Sequence, residues 1–159
     1  MSDSVQFSLI GLEPLLAKLQ SVSYDMQYKG GRFALRKAAN IVADALRTNA
    51  KMIDDPETPE DISKNVAVRF STRTFKRNGN LMFRVGILGG ASFTKKDVSG
   101  LAGGDTRHWR MQEMGTEHHP AQPFMRRSLS ENIGTATNEF ISQYEKALDR
   151  AIKRATKGK

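Results

Sequence analysis

Five side chains able to bind a metal or move a proton fall within twelve residues of one another: His108, Glu113, Glu117, His118 and His119. They belong to the stretch HWRMQEMGTEHHPAQPFMRRSL, residues 108–129, which also holds the only tryptophan, Trp109. Imidazoles and carboxylates are ligands for zinc and iron, and a Glu–His pair can serve as acid and base. The spacing argues against the metal, and acid–base work would need in addition a pocket and a shifted pKa. H-E-x-x-H is absent, and His118 and His119 are adjacent, so in an extended segment they face opposite sides and do not grip one ion. The chain has no cysteine, which removes thiol nucleophiles and thiolate ligands, and no G-x-S-x-G marks a serine nucleophile. The five glycines of residues 89–107 suggest a phosphate cradle, but neither G-x-x-x-x-G-K-[ST] nor G-x-G-x-x-G occurs. No catalytic, cofactor-binding or metal-binding residue is therefore assigned, and an enzyme is not expected.

The elements around this stretch suggest another use for it. Leu12, Leu15, Leu16 and Leu19 recur at helical spacing, and Gly30-Gly31 is expected to end that first helix. Ala34, Ala38, Ile41, Ala45 and Met52, with Val42, Leu46 and Ile53, form one apolar stripe and predict a long central helix over 31–53. In the acidic loop 54–61, Thr58 can cap a short helical turn that Pro59 begins. The period then changes to two. Val66, Val68 and Phe70 alternate with Ala67, Arg69 and Ser71, and Leu81, Phe83, Val85 and Ile87 alternate with Met82, Arg84 and Gly86. Asn78-Gly79 lies between them, so 66–88 reads as a β-hairpin with a tight turn. Residues 89–107 read as a flexible glycine-rich loop. Trp109 and Met111 alternate with Arg110 and Gln112, which predicts a third strand over about 108–114. Pro123 can then open a long amphipathic helix, 123–155, whose stripe runs through Phe124, Leu129, Ile133, Ala136, Phe140, Ile141, Tyr144, Leu148 and Ile152. The expected fold is α+β, a single domain over 1–159, with a small antiparallel sheet packed against two long helices and a basic tail at 153–159.

Charge and hydropathy bound the partners. The net charge is +8 and the pI about 9.9. Residues 146–159 carry six basic groups against one acid, while 54–61 carries five acids and no base. No apolar run approaches the ~20 residues of a membrane span, and no signal peptide is expected from the first residues, so no membrane partner is expected. Arg126 and Arg127 fall in the first turns of a helix, where the dipole does not favour cations. They point to an outside carboxylate or phosphate, or else to solvated arginines. Arg127, Arg150, Lys153 and Arg154 are the candidate phosphate or partner contacts.

The order helix, long helix, hairpin and then MQEMGTEHHPAQPFMRRSL resembles the tail-completion and head–tail joining family of long-tailed double-stranded-DNA phages. The family pattern is aromatic-x-x-x-E-x-G-T, a short polar step, then P-A-x-P-F-[LM]-R-P-[AS]-[LF], entering a C-terminal helix. Here Trp109, Glu113, Gly115 and Thr116 match the first half. Pro120, Ala121, Pro123, Phe124, Met125, Arg126, Ser128 and Leu129 match the second. Arg127 stands where the family has proline, and His118-His119 fills a step usually made of small polar residues. The motif covers about a sixth of the chain. The resemblance implies a virion structural protein of the neck or upper tail. Such a subunit would form a homo-oligomeric ring against connector, tail-terminator or tail-tube proteins, with packaged DNA in its channel and assembly in the host cytoplasm. Glu113, Gly115, Thr116, Pro120, Pro123, Phe124 and Arg126 would serve its interface. A ring joined head to tail pairs two different patches of each subunit, for which the acidic loop and the basic C-terminal helix are candidates. The alternatives are a nucleic-acid-binding module using the basic C-terminal helix, and a metal-dependent hydrolase.

Overall fold

The computed structural model describes residues 24–90 and 100–157. Its order is helix α1 (Tyr24–Met52), a 3-10 turn (Ile62–Asn65), strand β1 (Val66–Phe70), helix α2 (Thr72–Asn78), strand β2 (Phe83–Ile87), helix α3 (Trp109–Met114) and helix α4 (Phe124–Lys157). The fold is α+β. Residues 11–23 of the first helix expected before Gly30-Gly31, with Leu12 to Leu19, and 91–99 of the glycine-rich loop lie outside the described residues.

The two long helices run antiparallel. Asn49 Nδ2 donates to Ser128 Oγ at 2.8 Å near one end, and the Tyr144 hydroxyl donates to the Gln27 carbonyl at 2.7 Å near the other. Ala34, Ala43 and Ala50 of α1 are fully buried, because small residues let the backbones approach. Gly30-Gly31 does not break a helix, contrary to the sequence reading, but sits inside α1. A Cβ on Gly30 would lie 3.1 Å from Ala147 Cβ, and one on Gly31 would lie 3.0 Å from Leu81 Cδ1 and 3.2 Å from the Tyr144 ring. Each glycine costs helix propensity of about 1 kcal/mol relative to alanine, and in return the Tyr144 ring seats against the backbone. Tyr144 is buried there, and that burial raises its hydroxyl pKa. It forms one cluster with Ala34 and Leu148, while Leu46, Ile62, Val66 and Phe124 form the centre of a second.

β1 and β2 pair antiparallel from Val66 opposite Ile87 to Phe70 opposite Phe83. A tight Asn-Gly turn does not connect them. Residues 71–82, with the seven-residue helix α2 inside them, do, and Gly79 ends that helix at φ +73°, its N–H bonded to the Phe75 carbonyl at 2.9 Å. The left-handed conformation expected of Gly79 is present, serving a helix end instead of a hairpin. Phe75 is drawn inward, edge-on to Tyr28 at 5.6 Å and against Phe70 at 5.8 Å. A two-residue turn could not place it there. The turn over 62–65 is capped by Asp61, not Thr58: its carboxylate accepts from Ser63 N at 2.9 Å.

The third strand is absent from the described residues, and 108–114 is helical instead. In a strand Trp109, Met111 and Glu113 would share a face. Here Glu113 is buried and Trp109 half-buried while Met111 is 49% exposed, which is the one-turn spacing of a helix. The second half of the loop read as flexible is also packed. Gly103 and Thr106 are buried, and the Asn65 side chain, itself fully buried, binds the Gly103 N–H at 2.9 Å, the Gly104 carbonyl at 3.0 Å and Thr106 Oγ1 at 2.7 Å.

Candidate functional site

The junction between α3 and α4 is organised by one carboxylate. α3 places Glu113 facing inward, its side chain 6% exposed. Oε2 accepts from the Met125 N–H at 2.7 Å and Oε1 from the Arg126 N–H at 3.1 Å. These donors belong to the first turn of α4, where no earlier carbonyl is available to them. A carboxylate at a helix N-terminus also meets the positive end of the helix dipole. Arg126 closes the arrangement, with Nε 3.0 Å from Oε1 and Nη2 donating to the Glu113 carbonyl at 2.9 Å. The cation that the dipole disfavours is thus held by an anion from a different helix. Arg127 pairs with Glu131 one turn on, at 2.8 Å. Both arginines, read as partner contacts or as solvated, have partners inside the subunit.

The remaining motif residues shape the path between the helices. Gly115 ends α3 at φ +75°, and a Cβ there would lie 2.7 Å from Ala121 N. Both the backbone conformation and the close approach require glycine. Thr116 Oγ1 accepts from the N–H groups of His118 and His119 at 3.3 and 3.1 Å, and its own N–H bonds the His119 carbonyl at 2.8 Å. The histidine step is therefore a tight turn with exposed side chains. The chain returns to α3 at Gln122, whose N–H donates to the Gln112 carbonyl at 2.7 Å. Pro120 and Pro123 are exposed and stiffen the return. Phe124 enters the core at 3% exposure.

Two concave surfaces flank the junction. One, of about 600 Å³, is apolar and lies between α1, β2 and α4, lined by Leu35, Val42, Phe83, Leu129, Ile133 and Phe140 among others. The other, about 760 Å³, carries Arg69, Arg73 and Arg84 with Trp109 and no carboxylate. Arg69 and Arg84 are cross-strand neighbours. At the end of α4, Arg150, Lys153 and Arg154 are exposed. Among the described residues no group of three histidine, aspartate or glutamate side chains could hold a metal, and no helix is long and apolar enough to cross a membrane. Sequence reasoning placed Glu113 in the motif but missed its role as a cap. It also missed Asn65 and, though Ser128 stood in the motif, the burial of Ser128, because a buried polar residue interrupts an apolar pattern and gives no periodic signal. No family model, curated protein or solved structure matches the chain.

Proposed function

We propose that this chain is a structural subunit of a phage head–tail connector, a ring-forming adaptor that joins the tail tube to the DNA-filled head. The observation that supports the reading is the convergence of Glu113, Gly115, Thr116, Phe124 and Arg126 on one junction. These are the residues on which the resemblance to tail-completion proteins rests. Their common effect is to fix the direction in which a 34-residue helix leaves the rest of the subunit. An adaptor in a cyclic particle needs such a fixed angle, since each copy must present its surfaces identically to its neighbours. The role is mechanical, and the histidines of the junction have no part in it beyond the turn. Native mass measurement of the purified full-length protein tests the ring: one closed stoichiometry is expected, and a monomer at all concentrations contradicts it.

A second reading is favoured by the exposed arginines and lysines. Arg150, Lys153 and Arg154 could contact DNA phosphates, inside the channel or outside any particle. Phosphate contacts would make duplex binding fall steeply with salt.

A further inference from the structure

The two ends of the subunit carry opposite charge. The acidic loop 54–61 begins two residues after the last residue of α1, Met52, and its Asp55 and Glu57 are exposed. α2 sits at the other end of α1, where Phe75 packs on Tyr28. From Tyr28 to Met52 the helix rises about 36 Å. α2 carries Arg73, Lys76 and Arg77, all exposed, with no acid in its sequence. Because α4 runs antiparallel to α1, with Ala147 against Gly30, its last turns reach that same end. They add Arg150, Lys153 and Arg154. The β1–α2–β2 segment, 66–87, holds five basic residues and no acid. Acids at this end include Glu145 and Asp149 on α4 and Asp25 in the first turn of α1. At the acidic end Lys51 and Arg110 are exposed, Lys64 pairs with Asp61 at 3.3 Å, and Arg47, Arg107, Arg126 and Arg127 each pair with a carboxylate. Among the described residues, none of Arg73, Lys76, Arg77, Lys153 and Arg154 pairs with a carboxylate.

Charges this far apart do not stabilise the subunit that carries them, since screening acts within about 8 Å at physiological salt. They are placed to act between molecules. A polyanion would meet the basic end but be repelled by the acidic one. A second copy of the same chain complements both. Contact between two different patches of identical subunits is heterologous, and it closes into a ring when the rotation allows.

We propose that the acidic pole, Asp54–Asp61, docks on the basic pole of a second copy of this chain, formed by α2 and the end of α4. This inference rests on the ring reading above and replaces the C-terminal helix alone with a composite basic surface. The test uses the full-length protein with two double charge reversals, D55K/E57K and K76E/R77E. All four positions are exposed. Unchanged melting confirms folding, and D55N/E57Q with K76Q/R77Q replace any variant that fails to fold. Native mass is measured at about 50 mM and about 0.5 M salt, conditions that span strong and weak screening. The expected result is a ring for the native sequence, loosened by salt. Each reversal alone should raise the dissociation constant by at least about tenfold, equivalent to about 1.4 kcal/mol. A 1:1 mixture of the two variants, or one chain carrying both reversals, should restore the ring. Singly reversed proteins that assemble normally overturn the interface and leave the ring reading standing. A native sequence that stays monomeric at both salts overturns both. If K76E/R77E abolishes retention on duplex DNA but leaves the ring intact, the basic pole belongs to nucleic acid and the proposal fails.

Discussion

Replacing Glu113 by alanine isolates the carboxylate that ties α3 to α4. Three favourable contacts are lost: two backbone N–H groups of the first helical turn, at 2.7 and 3.1 Å, and the Arg126 guanidinium at 3.0 Å. A capping interaction removed from a helix costs typically ~1 kcal/mol. Charge assistance and burial raise the figure for each bond to about 1.5–3 kcal/mol. Met125 is half-buried and Arg126 exposed, so water can re-satisfy part of what is lost. The total for Glu113→Ala is then about 2–4 kcal/mol, which for a chain of this size lowers Tm by roughly 5–15 °C. Arg126→Ala makes the informative contrast. Its side chain is 64% exposed, so the pair contributes only about 0.2–1 kcal/mol. Thermal and urea melts of both single variants and the double variant give the coupling directly. The reasoning predicts a large Glu113 effect, a small Arg126 effect and a coupling below about 1 kcal/mol. Equal losses for the two single variants would refute it, showing that the ion pair, and not the helix cap, holds the junction.

Other perturbations follow from the same geometry. Phe124→Ala should cost about 3–5 kcal/mol, because its ring is buried among Leu46, Ala50 and Ile62, and a melt near that of the native protein would place the ring outside the core. Gly115→Ala should destabilise by at least about 1–3 kcal/mol from its positive φ alone, measured by urea unfolding. Asn65→Ala should release the segment holding Gly103, read as faster amide exchange at Gly103 with slower change elsewhere. On the acid side, hydrogen bonds from the Arg107 side chain hold the Asp105 pKa down to about 2, against the opposing effect of desolvation. A depressed carboxylate stabilises the fold above its ordinary pKa and loses that contribution as pH falls through the folded value. Asp105→Asn should therefore flatten the stability curve between about pH 4 and 2 and leave it unchanged in slope near neutrality.

Much of the fold was legible because its signals are periodic. The stripe from Ala34 to Ile53 and that from Phe124 to Ile152 gave two long helices, and the alternation around Val68 and Val85 gave the strand pair. What was misread had a local signal overruled by packing. Asn78-Gly79 is a hairpin dipeptide, yet Phe75 gains more by packing on Tyr28 and Phe70 as part of a helix. Gly30-Gly31 breaks an isolated helix, yet the Tyr144 ring fills the space that side chains would occupy. In 108–114, a seven-residue segment is too short for period two and period 3.6 to be told apart, and exposed Met111 was counted as inward-facing. Leu129 was placed on the buried stripe of α4 and is 50% exposed, while its neighbour Ser128 is the residue turned inward. At the junction the motif residues were identified from the sequence. Their bonding was not, because Glu113 caps a helix that begins eleven residues later, beyond the reach of any local capping pattern.

The most direct test of the proposed connector role is an infection made without this chain. In an infection where this chain is not made, electron microscopy of the lysate should show DNA-filled heads and complete tails that remain separate. Adding the purified native protein should join them. Joined particles of normal infectivity made without the chain would contradict the account.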